Sequence, residues 1–207
     1  MMLTSWGYTL TGVDALPDML TEDEFNAFTG GKYVGDERIA SALKSAQTAV
    51  RNYVGWHLAG SLECAFTDHI LRENGRMKRN MQDLDIQLPA KFVSDISSIK
   101  IGNDTVDNYV YSTGGMLTVF DVPELDRKTE ISVEYTAGLP DSMLDVIKEV
   151  LSGRVTHALA QSYGITSEAA GGVSVTYNSN WTNGGGAYGL ITPEEAALGP
   201  YKLQGVF

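Results

Sequence analysis

Cysteine is nearly absent from this sequence, since Cys64 is the only one in 207 residues. A single thiol excludes an internal disulfide framework and indicates a reducing compartment, or a protein indifferent to redox conditions. Long apolar runs are also missing, because none approaches the roughly 20 residues that span a bilayer. The first residues lack a basic start and contain Asp14 and Asp18, so they do not resemble a signal peptide. We therefore expect a soluble protein that is made inside a cell and has no membrane partner.

Positive charge is scarce as well. The chain has 15 basic and 26 acidic side chains, which gives a net charge of -11. This charge repels a phosphate backbone rather than neutralising it, so a general nucleic-acid binder is disfavoured. One local basic cluster is nevertheless present, formed by Arg72, Arg76, Lys78 and Arg79. The cluster is either a solvated turn or a contact patch for an acidic protein face or for passing DNA.

The motifs of enzymes and cofactor sites are missing too. We find no P-loop, no Gly-x-Gly-x-x-Gly at a strand-to-helix junction and no Gly-x-Ser-x-Gly elbow. His57, His69 and His157 lack metal-ligand spacing, and we interpret each as a helix-end or strand-surface histidine. Cys64 has the inward phase of a strand, which is typical of a small core residue. These absences predict a protein that is not an enzyme and needs no cofactor or metal.

Helical periodicity is present in two long segments. Thr21-Glu22-Asp23-Glu24 has the pattern of a capping box and predicts a short helix to about Phe28. Apolar residues recur every three or four positions over residues 36–56 and again over residues 141–162, which predicts two amphipathic helices. Residues 1–20 show no sustained periodicity, and we expect an arm or an irregular edge there.

A different pattern occupies residues 61–138. Apolar and polar residues alternate in short runs, such as Leu62, Cys64 and Phe66, and turns rich in Gly, Asn and Asp separate the runs. This alternation predicts a small antiparallel β unit. We therefore predict an α+β fold: a small helical bundle of two long amphipathic helices plus short helices, with an inserted antiparallel β unit and an extended C-terminal arm. The predicted helical body comprises residues 21–60 and 139–163.

The segment 164–207 is rich in glycine, which separates its apolar and aromatic residues. Side chains spaced in this way do not easily build a core of their own, and aromatic residues dominate interface energetics. Residues 173–177 alternate in the manner of a strand that can join the edge of a partner's sheet. The alternative is that the segment folds back on its own domain. The candidate partner contacts are Val173, Val175, Tyr177, Trp181, Tyr188, Tyr201, Leu203 and Phe207.

The order of these segments resembles the head–tail connector (adaptor) proteins of tailed bacteriophages, which form a ring beneath the portal. Leu20-Thr21-Glu22-Asp23-Glu24-Phe25 resembles the start of the family's opening helical pair, and Val133-Glu134-Tyr135-Thr136-Ala137-Gly138-Leu139-Pro140 resembles its re-entry into the last helix. The most distinctive stretch is Ile165-Thr166-Ser167-Glu168-Ala169-Ala170-Gly171-Gly172-Val173-Ser174-Val175-Thr176-Tyr177. The short family members are almost wholly helical, so the large β insertion departs from them.

The resemblance implies a virion structural protein at the head–tail interface, or neck, that is made in the host cytoplasm. It implies a homo-oligomeric ring of twelve subunits that joins the portal protein to a downstream stopper or tail-terminator protein, with the C-terminal segment engaging the portal. DNA would pass through the ring's channel without specific binding, which the acidic charge favours because like charges do not adhere. Two alternatives remain open: another phage neck or tail-completion protein, and a small hydrolase with its site on the β unit.

Overall fold

The computed structural model describes residues 1–69, 83–122, 129–160, 167–170, 173–176 and 190–203. The chain divides into two compact units. The first comprises Met1–Pro17, Gly55–Pro140 and Leu203–Phe207, and the second comprises Asp18–Val54 and Asp141–Lys202.

The first unit is built on a six-stranded antiparallel sheet. Its strands are β1 (Met2–Leu3), β2 (Tyr8–Leu10), β3 (Leu62–His69), β5 (Val93–Ile101), β6 (Asp104–Thr105) and β9 (Glu130–Ala137). Their order across the sheet is β1-β2-β3-β9-β5-β6. The long ladder between β3 and β9 runs from Leu62 opposite Ala137 to His69 opposite Glu130.

A smaller sheet belongs to the same unit. Strands β4 (Leu84–Gln87), β7 (Tyr109–Tyr111) and β8 (Met116–Val119) pair antiparallel in the order β4-β8-β7. Along β8 and β9 every second residue is buried, as the period of a strand requires when one face covers a core. Leu117 and Val119 are fully buried in β8, as is Val133 in β9.

The described residues of the second unit form the helices α1 (Glu22–Phe28), α2 (Ile39–Val54), α3 (Asp145–Ala160) and α4 (Thr192–Leu198). The capping box predicted at Thr21 is confirmed, since the Glu24 amide donates to the Thr21 hydroxyl and the Glu24 carboxylate accepts from the Thr21 amide. Helices α2 and α3 pack together through the apolar stripes that the sequence predicted. Among the described residues, no helix is long and apolar enough to cross a membrane.

The unit also contains a short hairpin. Strand β10 (Ser167–Ala170) pairs antiparallel with β11 (Val173–Thr176), with Ser167 opposite Thr176 and Ala170 opposite Val173. A strand was predicted over residues 173–177, and the structure confirms it for Val173–Thr176, while Tyr177 lies outside the described residues. The hairpin makes extensive contact with no other described helix or strand.

The predicted fold class was wrong. Substantial antiparallel β structure and four short helices replace the expected bundle of two long helices. The first residues are not an arm, because Tyr8 and Leu10 are buried in a strand that pairs with β3. The C-terminal segment is not extended throughout, because α4 packs against α3 within the second unit.

Candidate interaction surfaces

The predicted contact residues fall into three groups. Val173 and Val175 lie in β11, opposite Ala170 and Glu168. Tyr201 is half-buried in a 3-10 turn after α4, and Leu203 is buried. The remaining predicted residues lie outside the described part of the chain: Tyr177, Trp181, Tyr188, Phe207, Arg72, Arg76, Lys78 and Arg79.

The hairpin of β10 and β11, which we call the arm hairpin, is the described element with the least support from its own chain. An isolated two-stranded hairpin is marginally stable at best in water, because it buries little apolar surface. Every antiparallel pair also has two outer edges, along which unpaired N–H and C=O groups can accept another strand. A strand added at either edge would therefore stabilise the arm hairpin and find unpaired main-chain groups to bond.

Polar contacts hold residues 190–202, the described stretch that follows the arm hairpin in sequence, within the second unit. Arg154 of α3 forms an ion pair with Glu194 of α4 at 2.8 Å, and their side chains are only 16% and 8% exposed. The Tyr53 hydroxyl of α2 donates to the Glu195 carbonyl at 3.2 Å. The Lys202 ammonium lies 4.4 Å from the centre of the Tyr53 ring.

Helix α4 begins at a different residue from the one its sequence suggests. Thr192-Pro193-Glu194-Glu195 predicts Thr192 as the N-cap and Glu195 as the residue that bonds back to it. In the structure the N-cap is Ile191, whose amide donates to the Glu194 carboxylate at 3.0 Å. Glu194 consequently serves both the helix start and the ion pair with Arg154.

The first unit contains an open cleft of about 650 Å³. Its apolar lining comprises Trp6, Phe66, Leu88, Pro89 and Leu203, and its polar lining comprises Ser5, Thr67, Asp68 and Gln87. Among these described lining residues Asp68 is the only carboxylate. A glycoside hydrolase needs two carboxylates that flank the reacting bond, so the described lining gives no support to the hydrolase alternative.

Sequence reasoning missed a buried polar network in the same unit. His57 follows the end of α2, in keeping with the helix-end interpretation, but it is fully buried and lies on no surface. Its Nε2 lies 2.9 Å from the Ala137 carbonyl, which can only accept, so Nε2 carries the proton. Its Nδ1 then accepts from the Tyr8 hydroxyl at 2.7 Å, and that hydroxyl accepts from the His57 amide at 3.0 Å. The network is closed within the protein and joins β2 to β9.

The single thiol is unsuited to nucleophilic catalysis. Cys64 is 1% exposed, and burial raises the pKa of its thiol to about 12. The reactive form of a cysteine is the thiolate, which this environment disfavours. The part of the chain that the structure describes also contains no cluster of His, Cys, Asp or Glu side chains able to hold a metal ion.

Among the described residues, the features found are therefore a hairpin with open outer edges, a buried polar network and a cleft with one carboxylate. The model of the Head completion protein family matches residues 18–182, which is most of the chain. The protein therefore belongs to the head completion protein family. This match confirms the resemblance to phage head–tail connector proteins and gives the chain a structural role in the phage head and a place in the virion. No curated protein matches the sequence.

Proposed function

We propose that the protein is a head–tail connector (adaptor) subunit whose arm hairpin engages the portal protein. Twelve copies would form a ring that joins the portal to a downstream stopper or tail-terminator protein and surrounds the DNA channel. The family supports a role in completing the head. The net charge of -11 favours passage of DNA through such a ring without adhesion.

The observation that carries the proposal is the isolation of the arm hairpin. Its strands pair with each other and make extensive contact with no other described element. A hairpin of this size gains stability when a third strand or an apolar surface covers it. Addition of a strand at the outer edge of β11 would supply main-chain hydrogen bonds to the partner.

The register of the arm hairpin shows which amides face outward. Residues opposite each other alternate between pairs that exchange hydrogen bonds and pairs that do not. Two residues separate Ala170 from Val173, and the pair that flanks so short a connection is normally hydrogen-bonded. The amides of Val173 and Val175 therefore face β10, while those of Ser174 and Thr176 face the outer edge.

This geometry specifies a matched pair of proline variants. Ser174→Pro removes an outward amide and leaves the ladder to β10, whereas Val175→Pro removes an amide that the hairpin itself uses. We expect both variants to weaken binding to purified portal rings by about tenfold or more. Ser174→Thr, which keeps the outward amide, should bind as the wild type does. Dissociation constants from biolayer interferometry would measure the effect.

A third variant removes the arm hairpin without disturbing α4. Replacing residues 167–176 with a Gly/Ser linker of equal length keeps the ion pair between Arg154 and Glu194. This is a cleaner change than truncation after Ser162, which would also remove α4 and its contacts. We expect the variant to fold, as judged by its melting temperature, and to leave portal rings undecorated in electron micrographs. Normal decoration of portal rings by this variant would overturn the arm assignment.

The same assay separates connector from other neck proteins. Wild-type protein should form twelve-fold rings on the portal. If it binds tail tubes and not portal, it is a tail-completion protein instead, and the connector proposal fails.

A further inference from the structure

Helices α2 and α3 of the second unit each have one buried side and one exposed side. The buried stripe of α2 includes Ile39, Leu43 and Val50. The buried stripe of α3 includes Ile147 and Leu151, and the two helices pack against each other. Because a helix is a cylinder, the opposite side of each one faces away from this packing.

The exposed side of α2, which we call the α2 face, is a shallow groove of about 480 Å³. It is lined by Ser41, Lys44, Ser45, Thr48, Ala49 and Asn52. The side chains other than Lys44 are small and uncharged. The α2 face therefore combines one positive charge with a surface that another helix can approach closely.

The exposed side of α3, which we call the α3 face, has the opposite charge. Asp145 and Glu149 are exposed, and Val146 is an exposed apolar residue at 42%. These positions and Gly153 lie on the side of the helix opposite to Ile147 and Leu151, given about 3.6 residues per turn. The α3 face thus presents two carboxylates beside an apolar side chain and a glycine.

Gly153 lies in the interior of α3. A glycine in the interior of a helix is less favourable than an alanine. A Cβ atom built on Gly153 would meet no atom within 4 Å, so the described packing of this chain does not require its absence. The missing side chain does, however, allow another backbone to approach closely.

We infer that the α2 face of one copy packs against the α3 face of the next copy, with Lys44 opposite Glu149 and Ser45 close to Gly153. The inference rests on the proposed function, because a contact between two different faces of one subunit is the kind that closes into a ring. The two faces carry opposite charges, which favours this pairing. A symmetric contact between two α3 faces would instead bring Asp145 and Glu149 of one copy against the same carboxylates of another.

Disulfide cross-linking tests the contact directly. Ser45 and Gly153 lie near the middle of their helices, and both positions are exposed. The double variant Ser45→Cys with Gly153→Cys should form a ladder of covalent multimers when it is oxidised on portal rings. Cys64 is buried with a raised thiol pKa, so it does not compete for the cross-link. Each single variant should remain monomeric on a non-reducing gel.

A charge exchange tests the same contact without a covalent bond. Lys44→Glu and Glu149→Lys should each weaken ring assembly by about tenfold or more, because each places like charges opposite one another. The double variant should regain assembly to within about threefold of the wild type. Native mass spectrometry of the subunit with portal rings would count the bound copies, and unchanged melting temperatures would show that each variant is folded.

The outcomes distinguish the contact from the function. Wild-type rings without a cross-link in the double cysteine variant, or full assembly of Lys44→Glu, would overturn the contact and leave the connector proposal standing. Covalent dimers from either single cysteine variant would show a symmetric contact and would also overturn it. Failure of the wild-type protein to form rings would overturn the proposed function and the contact together.

Discussion

The ion pair between Arg154 and Glu194 should be the main interaction that holds α4 against α3. The two side chains are 16% and 8% exposed, so little water would replace a lost partner. Substituting Arg154 with Met removes the cation and leaves the Glu194 carboxylate buried, with the Ile191 amide still donating to it. Leaving one charge of a buried pair uncompensated costs about 3 kcal/mol. For a chain of this size we expect a loss of about 6 to 12 °C in melting temperature.

A double-mutant cycle gives this prediction its control. Glu194→Gln keeps an oxygen for the Ile191 amide but loses the charge, and we expect it to cost about 2 kcal/mol. The double variant leaves no uncompensated charge, so its cost should fall below the sum of the single costs by at least about 1 kcal/mol. Urea denaturation followed by circular dichroism measures all three. Costs that add to within about 0.5 kcal/mol would show that the pair does not interact energetically.

His157 reports on the same pair through its pKa. Burial lowers the pKa of His157, the Glu194 carboxylate raises it and the Arg154 guanidinium lowers it further. Arg154→Met should therefore raise the pKa of His157, whereas Glu194→Gln should lower it. Shifts in the same direction in an NMR titration would contradict this geometry. Because the folded form has the lower pKa, the unfolded chain binds more protons. The contribution of His157 to stability therefore falls as the pH drops below about 6.5, the ordinary pKa of a histidine, towards the lower pKa of the folded form.

Three further predictions concern the first unit. Gly138→Ala should destabilise it by about 1 to 3 kcal/mol in urea titrations, because the new Cβ would collide with the Gly60 backbone. The matched control is Gly153→Ala, whose new Cβ would have no atom within 4 Å. It should be neutral or stabilise the protein by up to about 1 kcal/mol. Equal effects at both sites would refute the packing argument. Tyr8→Phe should cost about 1 to 3 kcal/mol in thermal melts, since it leaves two buried groups of His57 without their partner; an unchanged melting temperature would show that the network is not stabilising. Cys64 should react with a thiol reagent at least about a hundredfold more slowly in the native protein than in urea, and equal rates would contradict its burial.

Local signals in the sequence were read correctly where a few neighbouring residues decide the structure. The capping box at Thr21 needs only the hydroxyl and the Glu24 carboxylate three positions later, and it is present. The inward phase of Cys64 follows from strict alternation along β3, and this side chain is buried. The same alternation predicted a strand over residues 173–177, of which Val173–Thr176 form one. It did not predict the partner β10, whose Ser-Glu-Ala-Ala sequence has little preference for strands.

The predicted bundle failed because sheet pairing is not a local property. Strands β1 and β2 have two and three residues, which is too short for a periodic pattern to show. Strand β2 pairs with β3, more than fifty positions away, and β1 joins the sheet through β2. The network of His57 was missed for the same reason, since Tyr8 lies 49 positions before it. Glycine spacing and alternation in the sequence indicated the candidate arm. Only the structure shows that its hairpin makes extensive contact with no other described helix or strand.

Strand β5 of the larger sheet has an edge whose carbonyls are partly occupied by tyrosine hydroxyls, and this affects where a partner strand could add. Strand β6 pairs with β5 only at Lys100 and Ile101, so the preceding part of β5 has β9 as its one neighbouring strand among the described strands. The hydroxyls of Tyr109 and Tyr111 donate to the β5 carbonyls of Ile96 and Ser94, at 3.2 and 3.1 Å. Occupied carbonyls offer less to an incoming strand, which is one way in which proteins prevent unwanted edge pairing. A subunit that pairs with partners needs this protection on its sheet, because strand addition there would compete with the arm hairpin. Replacing both tyrosines with Phe should therefore increase self-association of the free subunit in sedimentation experiments while leaving portal binding unchanged, and a variant that stays monomeric would show that these hydroxyls do not guard the edge.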